Sequence, residues 1–579
     1  MLFLRLYRAL PRRFRTRLLG MIPSSRLLWL VRRLVPLQTQ RQMHDSSGRR
    51  VVRDRGQVVP ASVSDTATPF AVRQANLDAV VQVLDSAGIP YFRIRPDSSL
   101  RTAIAVPLQN QARVAEEIHR SLSDFTVRWV SPRSRPIKEN GGHSAVLQVF
   151  HAVTSQTGSL VLGSKYACEI EFWLEEKGKL IAPRRNAVGG VVSAKYEPVM
   201  ADEHVFSRLA GRNASRQYQT REEFACLGID MVDFPIDAVY TWVDGSDPEW
   251  QNRKNAALAT QGDGELSELA ANSSRYLNRD ELRYSLRSLV CFAPWIRHIY
   301  LVTDDQIPPW LDPHHPMITV IRHREIFGET GVLPTFNSHA IESRLHRIRG
   351  LSEHFLYVND DMFFGRMVYP TTFFHPNGIA KFFLSRAQMG AGPASIDDAP
   401  VDAAAKNNRT IIQDRYGRFI SRKMKHVPYP LRKSVLEEID QALHAQVLAT
   451  ASHQFRHPGD LSIPSSLHHY WALMTGRSVP GSIRYAYADL GHPSTPLRLR
   501  ELLAKRRWDV FCLNDTDSGD VSHAEQMAMM SEFLPAYFPF RAPFELPDDV
   551  AAERARLGAT QLAKELLDLP TGLAGAGRN

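Results

Sequence analysis

Three apolar runs, each of strand length and each ending in acid, constrain this chain more than any other feature. Residues 236–243 are followed by Asp244, residues 298–303 by Asp304 and Asp305, and residues 354–358 by Asn359, Asp360 and Asp361. Segments with helical patterning lie between them. Strands alternating with helices predict a parallel α/β sheet. In such sheets ligands bind beyond the carboxyl ends of the strands. Three acidic strand ends in one sheet would converge on one crevice. Carboxylates and amide oxygens there suit Mg2+, which is often bound through one or two carboxylates plus substrate phosphates. Asp after a strand is also an ordinary turn or N-cap residue, and for any single acid that reading prevails. It is weaker for Asp360 and Asp361, because two adjacent acids beside a buried run lose hydration unless paired or metal-bound.

A basic counterpart is present. The spacing predicts a helix over 280–292, with Leu282, Leu286 and Leu289 on its buried face and Arg283 and Arg287 together on another. Two adjacent guanidinium groups suit a phosphate, although solvated surface arginines are the commoner explanation for such a pair. Residues 421–433 hold Arg422, Lys423, Lys425, His426, Arg432 and Lys433 with no acid, and Pro428 and Pro430 predict a loop. Such a loop could clamp a phosphate or simply be solvated. A further helix is expected over 337–349. Its apolar face is Ile341, Leu345 and Ile348, which puts His339, Glu342 and His346 opposite. The spacing is not H-E-x-x-H, so a solvated or supporting face is expected there rather than zinc.

The 579 residues are enough for about three to five domains. The net charge of +10 is uneven: residues 1–50 hold twelve arginines, no lysine and one acid, a net +11, which leaves −1 for the rest. A nucleic-acid-binding body, which would carry its own basic footprint, is excluded on that ground. In the arm, Leu27, Leu28, Val31, Leu34 and Val35 follow helical spacing with Arg26, Arg32 and Arg33 off that face. This pattern predicts an amphipathic basic helix on an anionic membrane surface. No run approaches the ~20 apolar residues of a membrane span. Residues 37–66 read as a linker. Beyond them a helix (67–90), strands (91–94, 102–106), a helix (111–122) and strands (126–130, 146–153, 167–174) predict a small α+β accessory unit within residues 51–235. The four cysteines are widely spaced, without a CxxC pair, which fits a reducing compartment.

The segments IDAVYTWVDGSDPEW (236–250), NRDELRYSLRSLVCFAPWIRHIYLVTDDQIPPWL (278–311), LPTFNSHAIESRLHRIRGLSEHFLYVNDDMFFGR (333–366), KHVPYPLRKSVLEEI (425–439) and DVFCLNDT (509–516) resemble the Stealth phosphotransferases in order and approximate spacing. The resemblance implies a GT-A-like nucleotide-sugar transferase core over residues 236–545, leaving 546–579 as a tail. It implies transfer of a sugar 1-phosphate in capsule or exopolysaccharide synthesis; the animal relative is the N-acetylglucosamine-1-phosphotransferase of lysosomal enzyme tagging. Its motif residues fall on Asp360, Asp361, His426, Arg456 and Asp247 as catalytic residues. Asp244, Glu281, Arg283, Arg287, Asn359, Asn514 and Asp515 fall on substrate-binding positions. The metal implied is Mg2+, with Mn2+ as the alternative, on Asp360 and Asp361. His426 is the candidate acid/base, or else a hydrogen-bond donor to phosphate. The expected partners are a nucleotide-sugar donor and a polysaccharide acceptor, at the cytoplasmic face of the inner membrane. An ordinary glycosyltransferase and a non-catalytic polysaccharide assembly protein are the competing readings.

Overall fold

The computed structural model describes residues 43–567, apart from 47, 98–99, 131–145, 212–215, 261–277 and 516–520. The amphipathic arm expected at the amino terminus lies outside the described residues up to position 42.

The segment expected as a linker is instead largely strand. Arg50–Asp54 and Gln57–Val63 form an antiparallel hairpin. Its two-residue turn, Arg55–Gly56, has φ of 50° and 89°. Two positive φ values match the right-handed twist of the flanking strands. Val52 and Val59 are buried, and Gln57–Val63 pairs in parallel with Ala152–Thr154. The signal was masked because only a few residues of these strands face the core. The single strand expected over 146–153 is two: Val146–Phe150 and Ala152–Thr154 belong to different sheets, parting at His151.

A second, seven-stranded mixed sheet centres on Cys168–Glu176, which pairs with Thr102–Pro107, Val146–Phe150 and Lys179–Ile181. The helices Pro69–Ser86 and Gln111–Ser121 accompany it. Its interior holds a charge cluster. Glu203 is fully buried and accepts hydrogen bonds from Arg73, at 2.6 Å, and from Arg93. The Arg93 guanidinium also lies 4.4 Å from the Phe206 ring and 4.2 Å from the Tyr218 ring. A buried charge needs such pairing to persist. Val72, Leu162, Tyr166 and Leu209 belong to one contiguous apolar core with Ile236, Leu286 and Trp295, so the amino-terminal residues pack directly onto the larger part of the chain.

That larger part, from Ile236 onward, is built on a five-stranded sheet. Its strands are β1 (Ile236–Trp242), β2 (Ile299–Thr303), β3 (Ile318–Arg322), β4 (His354–Asn359) and, after the short β5 (Met362–Phe364), β6 (Tyr429–Arg432). The order is β3-β2-β1-β4-β6; the first four are parallel and β6 is antiparallel to β4. β1, β2 and β4 are almost wholly buried, as expected for a parallel sheet covered on both faces. The expected α/β class is therefore the observed one. A small companion sheet joins β5, β7 (Tyr485–Asp489) and β8 (Val510–Asn514) in the order β5-β8-β7. Only Asp360 and Asp361 separate β4 from β5, so this turn links the two sheets. The Leu513 amide donates to the Asp361 carbonyl at 3.0 Å and closes the junction.

Two local expectations change. Residues 421–433 are not a plain loop: Arg422–Met424 and β6 are strands, and Pro430 sits opposite Leu356 on the edge strand, where a missing N–H is tolerated. The helix expected over 337–349 is only Ser338–Glu342, followed by a 3-10 turn at Leu345–Arg347. His339, Glu342 and His346 are buried rather than solvated.

Candidate active site

Because β1, β2 and β4 are parallel, their acidic ends reach one edge of the sheet. The acids differ in what they do there. Asp244 closes its own turn: its carboxylate accepts from the Ser246 amide at 3.0 Å and the Ser246 hydroxyl at 2.6 Å. Asp247 is the N-cap of helix Pro248–Ala259, accepting from the Trp250 amide at 3.0 Å. It also receives the Thr560 hydroxyl at 2.9 Å and the Thr560 amide at 3.0 Å, which ties the helix Ala559–Leu567 to the sheet edge. Asp304 pairs with Arg253 at 3.0 Å. For Asp244 and Asp247 the turn and capping reading holds, whereas Asp304 is satisfied by an arginine.

The end of β4 is different. Asp360 carries no neutralising partner among the described residues; loss of hydration, then Glu281 and Asp361, push its carboxyl well above the usual range. Glu281 is buried at the start of helix Glu281–Phe292. Burial raises its pKa to about 7 despite Arg279, with Asp361 adding to the rise. Arg279 is buried and bridges the cluster: its amide donates to Glu281 at 2.6 Å, and its guanidinium reaches Asp515 and, at 2.8 Å, Gln526. Glu281 and Asp515, far apart in sequence, are thus held by one arginine. Asn359 contributes a buried side-chain oxygen with no hydrogen-bond donor among the described residues.

Asp361 faces a different set. His426 Nε2 lies 3.0 and 3.1 Å from its two carboxylate oxygens. The Cys512 thiol donates to Oδ2 at 3.2 Å. The other ring nitrogen of His426 meets the Tyr429 hydroxyl at 3.2 Å. Burial, the largest influence, would lower the His426 pKa, but the charge and hydrogen bond of Asp361 together with the charges of Glu342 and Asp360 outweigh it, and the net shift is upward. Behind this pair, Tyr357 on β4 touches Thr241 on β1 at 3.0 Å and donates to Glu342 at 3.3 Å. Ser465 donates to the other Glu342 oxygen at 2.9 Å. Glu342 therefore supports the site from beneath, through a tyrosine packed between strands.

Three residues picked from the sequence lie in other bonding networks. Arg283 and Arg287 converge on Glu545, whose side chain is fully buried: Arg283 Nε at 2.7 Å, Arg287 Nε and Nη2 at 2.7 and 2.6 Å. Removing one partner from such a buried pair costs ~3–5 kcal/mol, so the two arginines anchor the segment after Phe538. Arg456 donates to the Ser338 hydroxyl at 2.7 Å, at the start of the helix that ends in Glu342. Asn514 ends β8 opposite Asp489. Arg279, Cys512 and Tyr429 were not singled out as site residues from the sequence, although all three lie inside the segments that resemble the Stealth family, and Glu342 takes the supporting role that was one of its two expected readings.

A divalent cation fits the oxygen set of Asn359, Asp360 and Asp361. Three carboxylates crowd together near one arginine, two of them have raised pKa values, and one buried amide oxygen lacks a donor. A hard cation would relieve both the repulsion and the unsatisfied oxygen.

Models of the Stealth protein conserved regions match four segments in chain order: region 1 over 234–262, region 2 over 275–382, region 3 over 425–473 and region 4 over 500–556. Arg279, Glu281 and Asn359–Asp361 fall in region 2, His426, Tyr429 and Arg456 in region 3, and Cys512 and Asp515 in region 4. An exopolysaccharide phosphotransferase of Streptomyces coelicolor is 45% identical over 505 residues, spanning 85% of each chain. Exopolysaccharide phosphotransferase CpsY of Mycobacterium tuberculosis is 34% identical over 522 residues, spanning 87% of this chain and 93% of its own. Among solved structures, the galactosyltransferase LgtC, in complex with donor and acceptor sugar analogues, aligns over 55% of this chain and 100% of its own. That alignment has 9% identity and a TM-score of 0.29, a likeness too distant to argue from.

The raised Glu281 pKa has a consequence for stability. The folded protein holds this proton up to about pH 7, whereas the unfolded chain releases it near the ordinary 4.5. The folded state binds the extra proton between those values, so stability falls as pH rises through that window. Urea unfolding without divalent cations should show this loss between about pH 5 and about pH 8, and Glu281→Gln should flatten it. An unchanged slope in the variant would contradict the assignment.

Proposed function

The chain belongs to the Stealth family, and on that premise we propose that it transfers a sugar 1-phosphate from a nucleotide sugar to a hydroxyl of an exopolysaccharide. The observation that carries the reading is the Asp360–Asp361 turn at the carboxyl edge of the parallel sheet, with His426 on Asp361.

In this reaction the acceptor oxygen attacks the β-phosphorus of the donor. A phosphodiester bond forms as the bond to the departing nucleoside monophosphate breaks. Phosphoryl transfer depends mainly on positioning and on neutralising charge. Asn359, Asp360 and Asp361 would hold Mg2+ or Mn2+, which supplies positive charge against the diphosphate. His426 Nε2–H donates to the Asp361 carboxylate, so the acceptor proton is taken at Nδ1, beside the Tyr429 hydroxyl, and Asp361 stabilises the imidazolium that results. Arg279 keeps Glu281 and Asp515 in place so that the acid cluster is assembled before substrate arrives. Arg456 is the candidate for donor phosphate contact. Arg283 and Arg287 act through Glu545 as anchors, and Asp244 and Asp247 shape the loop after β1. Residues 236–545 form the catalytic unit, with residues 51–235 as its accessory part.

The arm at residues 1–50 brings the enzyme to an anionic membrane surface on the cytoplasmic side. No helix among the described residues is long and apolar enough to cross a membrane, and contact is peripheral in this reading. Deleting the arm should abolish flotation with anionic liposomes at low salt; equal flotation of both chains would place the contact elsewhere.

The reading is tested by incubating the protein with a panel of nucleotide sugars, Mg2+ and a soluble glycan acceptor. Mass spectrometry should find nucleoside monophosphate and a phosphodiester-linked product; nucleoside diphosphate would instead mean glycosyl transfer, and no turnover an assembly role. Asp361→Asn should abolish turnover, and His426→Ala should lower kcat by ~10²–10⁴-fold. A His426→Ala effect confined to donor KM would make this residue a phosphate ligand instead.

A further inference from the structure

Asp361 touches donors of a kind that magnesium does not use. Its neighbours are an imidazole nitrogen at 3.0 Å and a cysteine sulfur at 3.2 Å. One donor atom from each of Asp361, His426 and Cys512 lies within 4.8 Å of the other two. Thiolate, imidazole and carboxylate together are the donor set of zinc-class cations, whereas magnesium takes oxygen donors.

We propose that Asp361, His426 and Cys512 form a binding site for one soft divalent cation of the zinc class, and that this site shares Asp361 with the oxygen set at the end of β4. The charges balance: a doubly charged cation meets one carboxylate, one thiolate and one neutral imidazole. Cys512 is fully buried, so its thiol ionises only against a cation. Binding forms the sulfur–metal bond and releases the thiol proton to solvent, so affinity increases with pH. The His426 and Asp361 side chains retain 32% and 19% exposure, which leaves a way in. Three protein ligands leave a fourth position for water, as in open zinc sites. The cluster of His453, His457 and Asp460 has similar ligand types but is already closed by hydrogen bonds. Asp460 accepts from His453 at 2.7 Å, Asn337 at 2.8 Å and the His457 amide at 3.0 Å.

A second consequence rests on the proposed transfer reaction. A zinc-class ion at this site engages both His426 and Asp361, so it and Mg2+-dependent turnover exclude one another.

Cobalt(II) titration of the purified full-length chain tests the site without reference to turnover. The expected result is one equivalent bound, with intense tetrahedral d–d bands and a thiolate-to-cobalt charge-transfer band. Zinc should displace both signals and excess Mg2+ should not. Cys512→Ser should remove the charge-transfer band and weaken cobalt binding at least ~10-fold, with folding checked by circular dichroism. His426→Gln serves as a second variant, expected to keep the charge-transfer band while binding more weakly. Absence of the band in the wild type, its survival in Cys512→Ser, or displacement by Mg2+ would overturn the proposal. Failure of the transfer reading would appear separately, as absence of turnover with these spectra unchanged.

Discussion

Negative charge gathered where β4 ends is the constraint on which the rest of the site depends. Asp360, Asp361 and Glu281 stand together, with Arg279 tying Glu281 to Asp515 and the His426 imidazole against Asp361. Left alone, such a group would repel itself apart or protonate. It is held because each acid comes from rigid structure. Asp360 and Asp361 form the two-residue turn between β4 and β5, and Glu281 opens a helix whose apolar face is buried in the main core. Asp515 follows β8, which pairs with β5. The two sheets meet at this turn, so the crowding is imposed by backbone connectivity rather than by local attraction.

The same edge shows how one residue type serves two ends. Asp244, Asp247 and Asp304 also follow parallel strands, and each is satisfied by a turn amide, a helix cap or an arginine. Their role is to fix the loops around the acid cluster. Asp247 does so over a long range, by holding Thr560 and with it the final described helix. Glu545 does the same from the other side, by fixing Arg283 and Arg287. The carboxyl-terminal segment therefore closes onto the sheet edge through two buried polar ties.

Much of this was legible in the sequence, and for physical reasons. The parallel sheet followed from apolar runs alternating with helical segments, and Asp360 with Asp361 stood out because two adjacent acids beside a buried run lose hydration. Partners distant in sequence were not legible. Nothing around Arg287 signals that Glu545, 258 positions on, will meet it, so the arginine pair read as a phosphate clamp or a solvated face. His339, Glu342 and His346 read as a solvated or supporting face because helical periodicity was extended across a segment that breaks after Glu342. The short helix is buried on every side from His339 to Glu342, and His346 is buried in the 3-10 turn beyond it, so no face is left to solvent. Arg279 and Cys512 stayed hidden because a single arginine or cysteine carries no spacing signal.

On the proposed reading, the oxygen donors at the end of β4 form a cation site. Titration with Mn2+, followed by the electron paramagnetic resonance signal of the free ion with a nucleotide present, tests it most directly. One site is expected, for which Mg2+ competes and which is lost in Asp360→Asn and in Asp361→Asn. Binding that survives both substitutions unchanged would contradict it.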